Sequence, residues 1–332
     1  MALPDDIRAG LSLPAICAPM FLISGPDLAR ESCKAGIMGA LPRHNAQSIE
    51  EFEDWLFGVR RDLDAHVAAG GSVAPLAVNV TLLVADETRR FFYACEEARV
   101  DIVISAFGNP TEHIQRVHDR GMRAFHDVTN IRFAEKALEA GADGLIAIGA
   151  GGGGHSGTIS HLALIPRLRP MFDGVLVMAG AVTNGAAVRA AEILGADLAY
   201  LGTRFIATQE AMAAPAYKEL LVSGRIADLI YTDNPTGVPA NWLREGLRLA
   251  GVDPDNLPAR TTPRGAAHYP ETAKPWKDVW SAGQGIELID DIPTVAELAS
   301  RLRREYLAAC DTASFAEAAR LAEQASDLAR AG

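Results

Sequence analysis

The stretch MRAFHDVTNIRFAEKALEAGADGLIAI, residues 122–148, decides how the chain folds. It opens on an apolar run (122–126), continues with helical spacing (131–140), stops at Gly141 and restarts as a second apolar run (144–148). Helices place apolar residues every three or four positions, whereas strands covered on both faces read as unbroken apolar runs. The stretch therefore predicts a strand, a helix and a second, parallel strand. Gly141 suits the helix end because glycine takes the left-handed backbone without a Cβ clash.

The same unit recurs in both directions. Apolar runs stand at 15–19, 37–41, 76–80, 102–106, 122–126, 144–148, 175–179 and 198–201. Helical spacing fills the gaps at 27–35, 48–67, 86–98, 111–120, 131–140, 160–172 and 184–194. Ser48-Ile-Glu-Glu51 has the form of a capping box, and Gly36, Gly121 and Gly195 end helices as Gly141 does. Eight such units within about 200 residues predict an α/β fold, a closed (β/α)8 TIM barrel. An open doubly wound sheet would carry phosphate-binding glycines after its first strand. Here Pro19-Met20-Phe21 follows that strand, and the glycines gather after the sixth to eighth.

After the eighth run the rhythm stops. Residues 211–274, rich in proline with aromatic and polar residues between, predict an inserted lid-like subdomain over one end of the barrel. The barrel itself is assigned to 1–210 and 275–332. Its last part, 294–331, has helical spacing (Val295, Leu298, Leu302, Tyr306, then Phe315, Ala319 and Leu321) and is expected to dock on the barrel exterior.

Composition narrows the function classes. Of 332 residues, 49% are hydrophobic and 22% charged, enough apolar material for a large core. Lys and Arg number 31 against 42 Asp and Glu, a net charge of −11, which repels phosphate backbones and argues against a general nucleic-acid binder. No apolar stretch approaches the ~20 residues of a membrane helix. The first residues lack the basic start and apolar run of a signal peptide, so a cytoplasmic location is expected. Cys17, Cys33, Cys95 and Cys310 show no CxxC spacing and are expected to be reduced and mostly buried.

In such barrels, active sites collect at the C-terminal ends of strands, with phosphate near the loops after strands seven and eight. Gly180-Ala181 follows the seventh run and Gly202-Thr203 the eighth, so backbone N–H groups and a hydroxyl are placed to hold a phosphate. The loop after the sixth run has six glycines among the nine residues 149–157 and contains His155 near its end. So many glycines cost chain entropy on ordering, which is tolerated where backbone must pass close to something, such as a flat ring. His155 is placed to accept a proton near neutral pH. Asn79 and Thr81 share one side of the third strand. Gly108-Asn109 and His126-Asp127 stand at the ends of the fourth and fifth. No metal-ligand spacing and no GxSxG appear.

These segments, in order, resemble a known family. Pro14-Ala-Ile-Cys-Ala-Pro-Met20, Asn79-Val-Thr81, Gly153-Gly-His155-Ser-Gly157, Ala179-Gly-Ala181, Leu201-Gly-Thr-Arg-Phe205 and Trp280-Ser-Ala-Gly-Gln-Gly285 are similar to motifs of the FMN-dependent nitronate monooxygenases, formerly 2-nitropropane dioxygenases. The resemblance implies a flavoprotein oxidoreductase that oxidises alkyl nitronates, and nitroalkanes, with O2 to a carbonyl compound and nitrite. It implies FMN at the barrel mouth, with Ala18, Pro19 and Met20 along the ring and Asn79, Thr81, Gly108, Gly153 and Gly154 nearby. Gly180, Ala181, Gly202 and Thr203 would hold the phosphate, Gln284 would approach the flavin, and His155 would be catalytic. Implied partners are a small-molecule substrate and O2, with a homodimer compatible and neither nucleic acid nor membrane. The scaffold is shared with NAD(P)H-dependent flavin quinone and enoyl reductases, one alternative; a barrel binding a phosphorylated ligand without redox chemistry is the other. Two positions depart from many relatives: Gly151 stands where a glutamate is common, and Asp127 where some have a lysine.

Overall fold

Strands that alternate between a barrel interior and a helical outer layer must be apolar on both faces, and this alternation organises the chain. The computed structural model describes residues 3–81, 85–106, 108–257, 274–318 and 320. Its strands are β1 (Ala15–Cys17), β2 (Gly39–Pro42), β3 (Leu76–Val80), β4 (Ile102–Ser105), β5 (Arg123–Val128), β6 (Gly144–Ile148), β7 (Gly154–His155), β8 (Val175–Ala179), β9 (Leu198–Leu201), β10 (Leu229–Thr232) and β11 (Ala240–Leu243). The eight expected strands are β1–β6, β8 and β9, all parallel in the order β1-β9-β8-β6-β5-β4-β3-β2. Ile16 pairs with Met38 in parallel and closes the TIM barrel.

Inward residues form one core and outward residues another. Ile16, Met38, Ala77, Ile102, Ile104, Phe125, Ile146 and Val177 fill the cylinder, and Leu3 and Ile7 from the helix Asp5–Ala9 join them. Leu76, Val78, Val103, Ala124, Leu145 and Leu176 face the surrounding helices. Large and small residues interlock inside: a Cβ on Gly144 would stand 2.4 Å from the Phe125 ring, whose side chain is fully buried.

Local signals set the helix ends. Ser48, Asn130 and Asn184 each accept a backbone N–H from the first turn of the helix they precede. At Ser48 the box is incomplete, because Glu51 takes the N–H of Gln47 instead. Gly36, Gly121, Gly141 and Gly195 all have positive φ, as the helix-stop reading requires. The helical pattern at 160–172 is realised as His161–Leu168 followed by a 3-10 turn, Arg169–Met171; Pro166 and Pro170 remove two backbone donors there.

Past the barrel, residues 211–257 hold the helix Pro215–Ser223, the antiparallel pair β10–β11 and the helix Arg244–Leu249. Trp242, Leu247, Val252 and Val279 form a small separate core there. The remainder of the predicted insertion up to 273 lies outside the described residues. The C-terminal expectation needs correction. Val295–Cys310 is a helix that buries Val295, Leu298 and Leu302, but it ends at Asp311, and Phe315 beyond it is 91% exposed. A further helical turn at 315–318 leaves Phe315 outward, and Ala319 and Leu321 lie outside the described side chains. Cys17, Cys33 and Cys95 are buried and Cys310 is exposed. No helix among the described residues is long and apolar enough to cross a membrane.

Phe125→Ala should leave a cavity inside the cylinder and cost about 3–5 kcal/mol of stability. Equilibrium urea unfolding checks this; a midpoint equal to that of the unsubstituted protein would contradict the interior packing.

Candidate active site

A cavity of about 1380 Å³ opens at the C-terminal ends of the barrel strands. This exceeds the ~300–1,000 Å³ typical of a site for one small molecule, so it has room for a cofactor and a substrate together. Its floor is made by inward residues one position beyond the apolar layers: Asn79 of β3, Asp127 of β5, Ile148 of β6, Ala179 of β8 and Tyr200 of β9. Ala18, Pro19, Met20, Thr81, Gly108, Gly153, Gly154, His155, Gly180, Ala181, Gly202 and Thr203 also line it, so residues from seven strand ends meet in one place. Gln284 does not. Its side chain is exposed and lies against Gly151, while its backbone N–H donates to the Gly151 carbonyl at 2.9 Å; its neighbours Gly283 and Gly285 reach the cavity.

The β1 side is held by a residue that the sequence did not advertise. Asn45 donates from Nδ2 to the carbonyls of Met20 (2.9 Å) and Ser24 (2.8 Å) and accepts the Leu22 N–H at Oδ1 (2.8 Å). Leu22 has φ +63, so this turn is kept in the left-handed region by the side chain that spans it. Next to Asn45, His44 Nε2 accepts the Thr81 N–H at 3.0 Å and touches the Thr81 hydroxyl. Burial, followed by the Arg43 charge, pushes the His44 pKa down and keeps the ring neutral. On the β5 side, His126 Nδ1 pairs with the Ser105 hydroxyl at 2.8 Å, and burial lowers its pKa to about 4.

The glycine loop is clamped by protein on several sides. A Cβ on Gly149 would meet the His161 ring at 2.6 Å, and one on Gly153 would meet the Gly283 nitrogen at 2.8 Å and Thr203 Oγ1 at 2.9 Å. Part of the glycine content is thus explained by close approach of chain to chain. Buried Asn241 donates from Nδ2 to the Gly152 carbonyl at 2.7 Å. The loop then becomes β7, which pairs antiparallel with β11 (Ala240 opposite His155, Asn241 opposite Gly154). The segment after the barrel thereby holds His155. Trp276 completes the wall: its indole meets the His155 ring edge-on, with centroids 5.2 Å apart, and packs on Trp242 at 4.4 Å.

The turns after β8 and β9 have the character of an anion cradle. Ala181 has φ +57 and Gly180 φ +114, so the chain doubles back immediately after β8. Thr203 Oγ1 accepts the Gly283 N–H at 2.9 Å, which leaves its own proton to donate. A Cβ on Gly202 would reach only Met20 Sδ (3.6 Å) and Ala18 Cβ (3.8 Å), so the turn faces open cavity. Arg204 is turned away, 2% exposed, with Asp291 Oδ1 at 2.8 Å. A phosphate here would be held by neutral donors.

The sequence model of the nitronate monooxygenase family matches residues 9–305. The chain belongs to that family. Similar relatives include the nitronate monooxygenase of Paraburkholderia phytofirmans, 26% identical over 343 residues that cover 89% of this chain and 93% of the relative. Among solved structures, nitroalkane oxidase from Streptomyces ansochromogenes is 25% identical with a TM-score of 0.71, covering 92% of this chain and 98% of that one. FabK from Thermotoga maritima, 24% identical over 92% of this chain and 96% of that chain with a TM-score of 0.72, shares the barrel fold. Members of the nitronate monooxygenase family are flavoenzymes, and this protein is accordingly an oxidoreductase.

Asn45, His44, Tyr200, Asn241 and Trp276 are the site residues that sequence reasoning missed. Tyr200 was findable, since it stands two residues after the inward Leu198 in a strand of period two. Asn241 and Trp276 lie in aperiodic sequence and had no such signal.

Asn45→Ala should release the turn after β1, costing about 1–3 kcal/mol of stability through the unpaired groups it leaves. It should also weaken retention of any ligand bound against Pro19 and Met20. Thermal unfolding together with the ligand-to-protein ratio after gel filtration checks both; unchanged values would remove Asn45 from the site.

Proposed function

We propose that the protein is an FMN-dependent enzyme that oxidises alkyl nitronates, and nitroalkanes, with O2 to a carbonyl compound and nitrite. The observation that carries this reading is the joining, in one cavity, of a neutral anion cradle after β8 and β9 with a histidine walled by tryptophan. The residues present fit the cofactor. The Gly180-Ala181 and Gly202-Thr203 turns suit a single terminal phosphate, and the cavity wall at Ala18, Pro19 and Gly152 suits a flat ring. When bound, FMN supplies the two-electron acceptor and the reaction with O2.

The chain's own groups do the rest. His155 binds the nitronate oxygens, and with a neutral nitroalkane its imidazole accepts the α-proton. Antiparallel pairing with β11 and the Trp276 edge contact hold that ring in one orientation, which lowers the entropy to be lost when substrate arrives. Trp276, Val238 and Pro239 give the substrate side an apolar wall that excludes water from the proton transfer. Residues 211–274 act as the cover of the barrel mouth, with 1–210 and 275–332 as the FMN-binding barrel.

The volume of the cavity also favours one rival, a flavin-dependent reductase that uses NAD(P)H on a longer quinone or enoyl substrate. One set of assays separates the readings. The purified protein should be yellow, release FMN on heating, and produce nitrite from an alkyl nitronate in air without NAD(P)H. Rapid anaerobic bleaching by NADH with no nitronate turnover would favour the reductase, and a colourless protein that takes up no FMN would end both flavin readings. His155→Asn should keep FMN but lose turnover of neutral nitroalkanes by on the order of 10²-fold or more. An unchanged rate would take His155 out of the mechanism.

A further inference from the structure

Asp127 is the one acid among the described residues that line the cavity. It is the second inward residue of β5, following Phe125, and opposes Ile146 of β6. Phe125, the inward residue before it, and Ile146 opposite it are apolar, and it lines the cavity floor with Asn79 and Tyr200. Oδ1 is shielded from solvent and has no hydrogen-bond partner among the described residues. No cation among the described residues forms an ion pair with this carboxyl; Lys136, on the helix Ile131–Glu139, lines the same cavity without pairing with it.

From β9, Tyr200 interacts with Asp127, and burial raises its phenol well above the ordinary range. From β1, Cys17 stays a thiol, its pKa pushed up to about 12 by burial. His126, the neighbour on β5, points the other way to Ser105 and is neutral, as is His44. His155 lines the cavity from β7. Burial alone raises the Asp127 pKa to about 7, so the carboxyl is divided between its two forms near neutral pH.

We propose that Asp127 is the proton store of the cavity floor: it takes up a proton when the bound ring receives negative charge and returns it when that charge leaves. This rests on the flavin reading above. Two-electron reduction of a flavin fixes one proton on the ring and leaves one negative charge there. A ring bound against the cavity floor that Asp127 lines would bring this charge close to an ionised carboxylate; repulsion would then raise the Asp127 pKa on reduction, and the carboxylate would gain a proton from solvent. Two electrons and two protons are then taken up together, one proton by the ring and one by the carboxylate. On reoxidation by O2 both leave. The sign follows from the folded protein. Below about pH 7 Asp127 is already protonated and adds nothing, whereas above it the carboxylate binds its proton only on reduction.

The test is a redox titration of the FMN-loaded protein under argon against reference dyes, from pH 6 to pH 9 in roughly one-unit steps, with proton uptake followed by an indicator. Each proton taken up with two electrons moves the potential by about 30 mV per pH unit. Above pH 7 the unsubstituted protein should show about 60 mV per unit and two protons per two electrons. Asp127→Asn, close in shape, should retain FMN and show about 30 mV per unit with one proton there. Equal slopes and proton counts in the two FMN-loaded proteins would overturn the proposal while leaving the flavin reading intact. Failure of the unsubstituted protein to hold FMN would instead defeat that reading. Should Asp127→Asn lose its FMN, Asp127→Ser supplies the comparison with the same two outcomes.

Discussion

Two hydrogen bonds close the cylinder. The Cys17 N–H donates to the Met38 carbonyl at 2.9 Å and the Met38 N–H to the Ala15 carbonyl at 3.1 Å, joining the first strand to the second after the chain has gone once round. Closure leaves no open edge in the barrel sheet, so backbone groups find partners within the ring. It also brings the C-terminal ends of eight parallel strands to one rim. The strand-end part of the cavity follows from that, since residues as far apart in sequence as Ala18 and Thr203 become neighbours only when β1 lies against β9.

The rim is built largely from main chain and neutral polar groups. Arg204, the cation beside the turns after β8 and β9, is committed to Asp291, and the helix Gly185–Leu194 has its first N–H groups taken by Asn184 and Glu305. The acceptors and donors that face the cavity therefore belong to turns whose shape is imposed by packing. Two of the four non-glycine residues with positive φ among the described residues, Ala181 and Trp276, line the cavity. Such conformations cost about 1–3 kcal/mol each and persist only when surrounding contacts leave no alternative. In the same low-polarity interior, an acid such as Asp127 is worth most as a group that can change charge.

Much of the rim was legible in the residues because barrel geometry ties sequence position to place. A glycine directly after a strand, as at Gly180 and Gly202, lies at the rim whatever its neighbours are. Asn79 and Asp127 are inward by the period of the strand. The legibility ended where position stopped following a period. Gln284 was expected toward the cofactor and lies outside the lining, because the 3-10 turn Gln284–Leu288 directs it over Gly151. Phe315 was placed on a docked helix by spacing alone, yet the helix breaks at Asp311 and leaves it in water. Asn45 follows no period that would mark it, and its three hydrogen bonds reach back 20 residues or more.

By itself the sequence determined the eight barrel strands, the helix stops at Gly36, Gly121, Gly141 and Gly195, and the end of the barrel at which polar residues collect. These are consequences of short-range periodicity and of backbone angles, which a residue carries with it. Only the tertiary structure decided what clamps the glycine loop, which aromatic ring stands against His155, and that Asp127 Oδ1 finds no hydrogen-bond partner among the described residues. Those depend on contacts such as Asn241 with Gly152, 89 residues apart, and on what does not approach a given atom. No local pattern encodes either, since both are set by how the whole chain excludes water from one cavity.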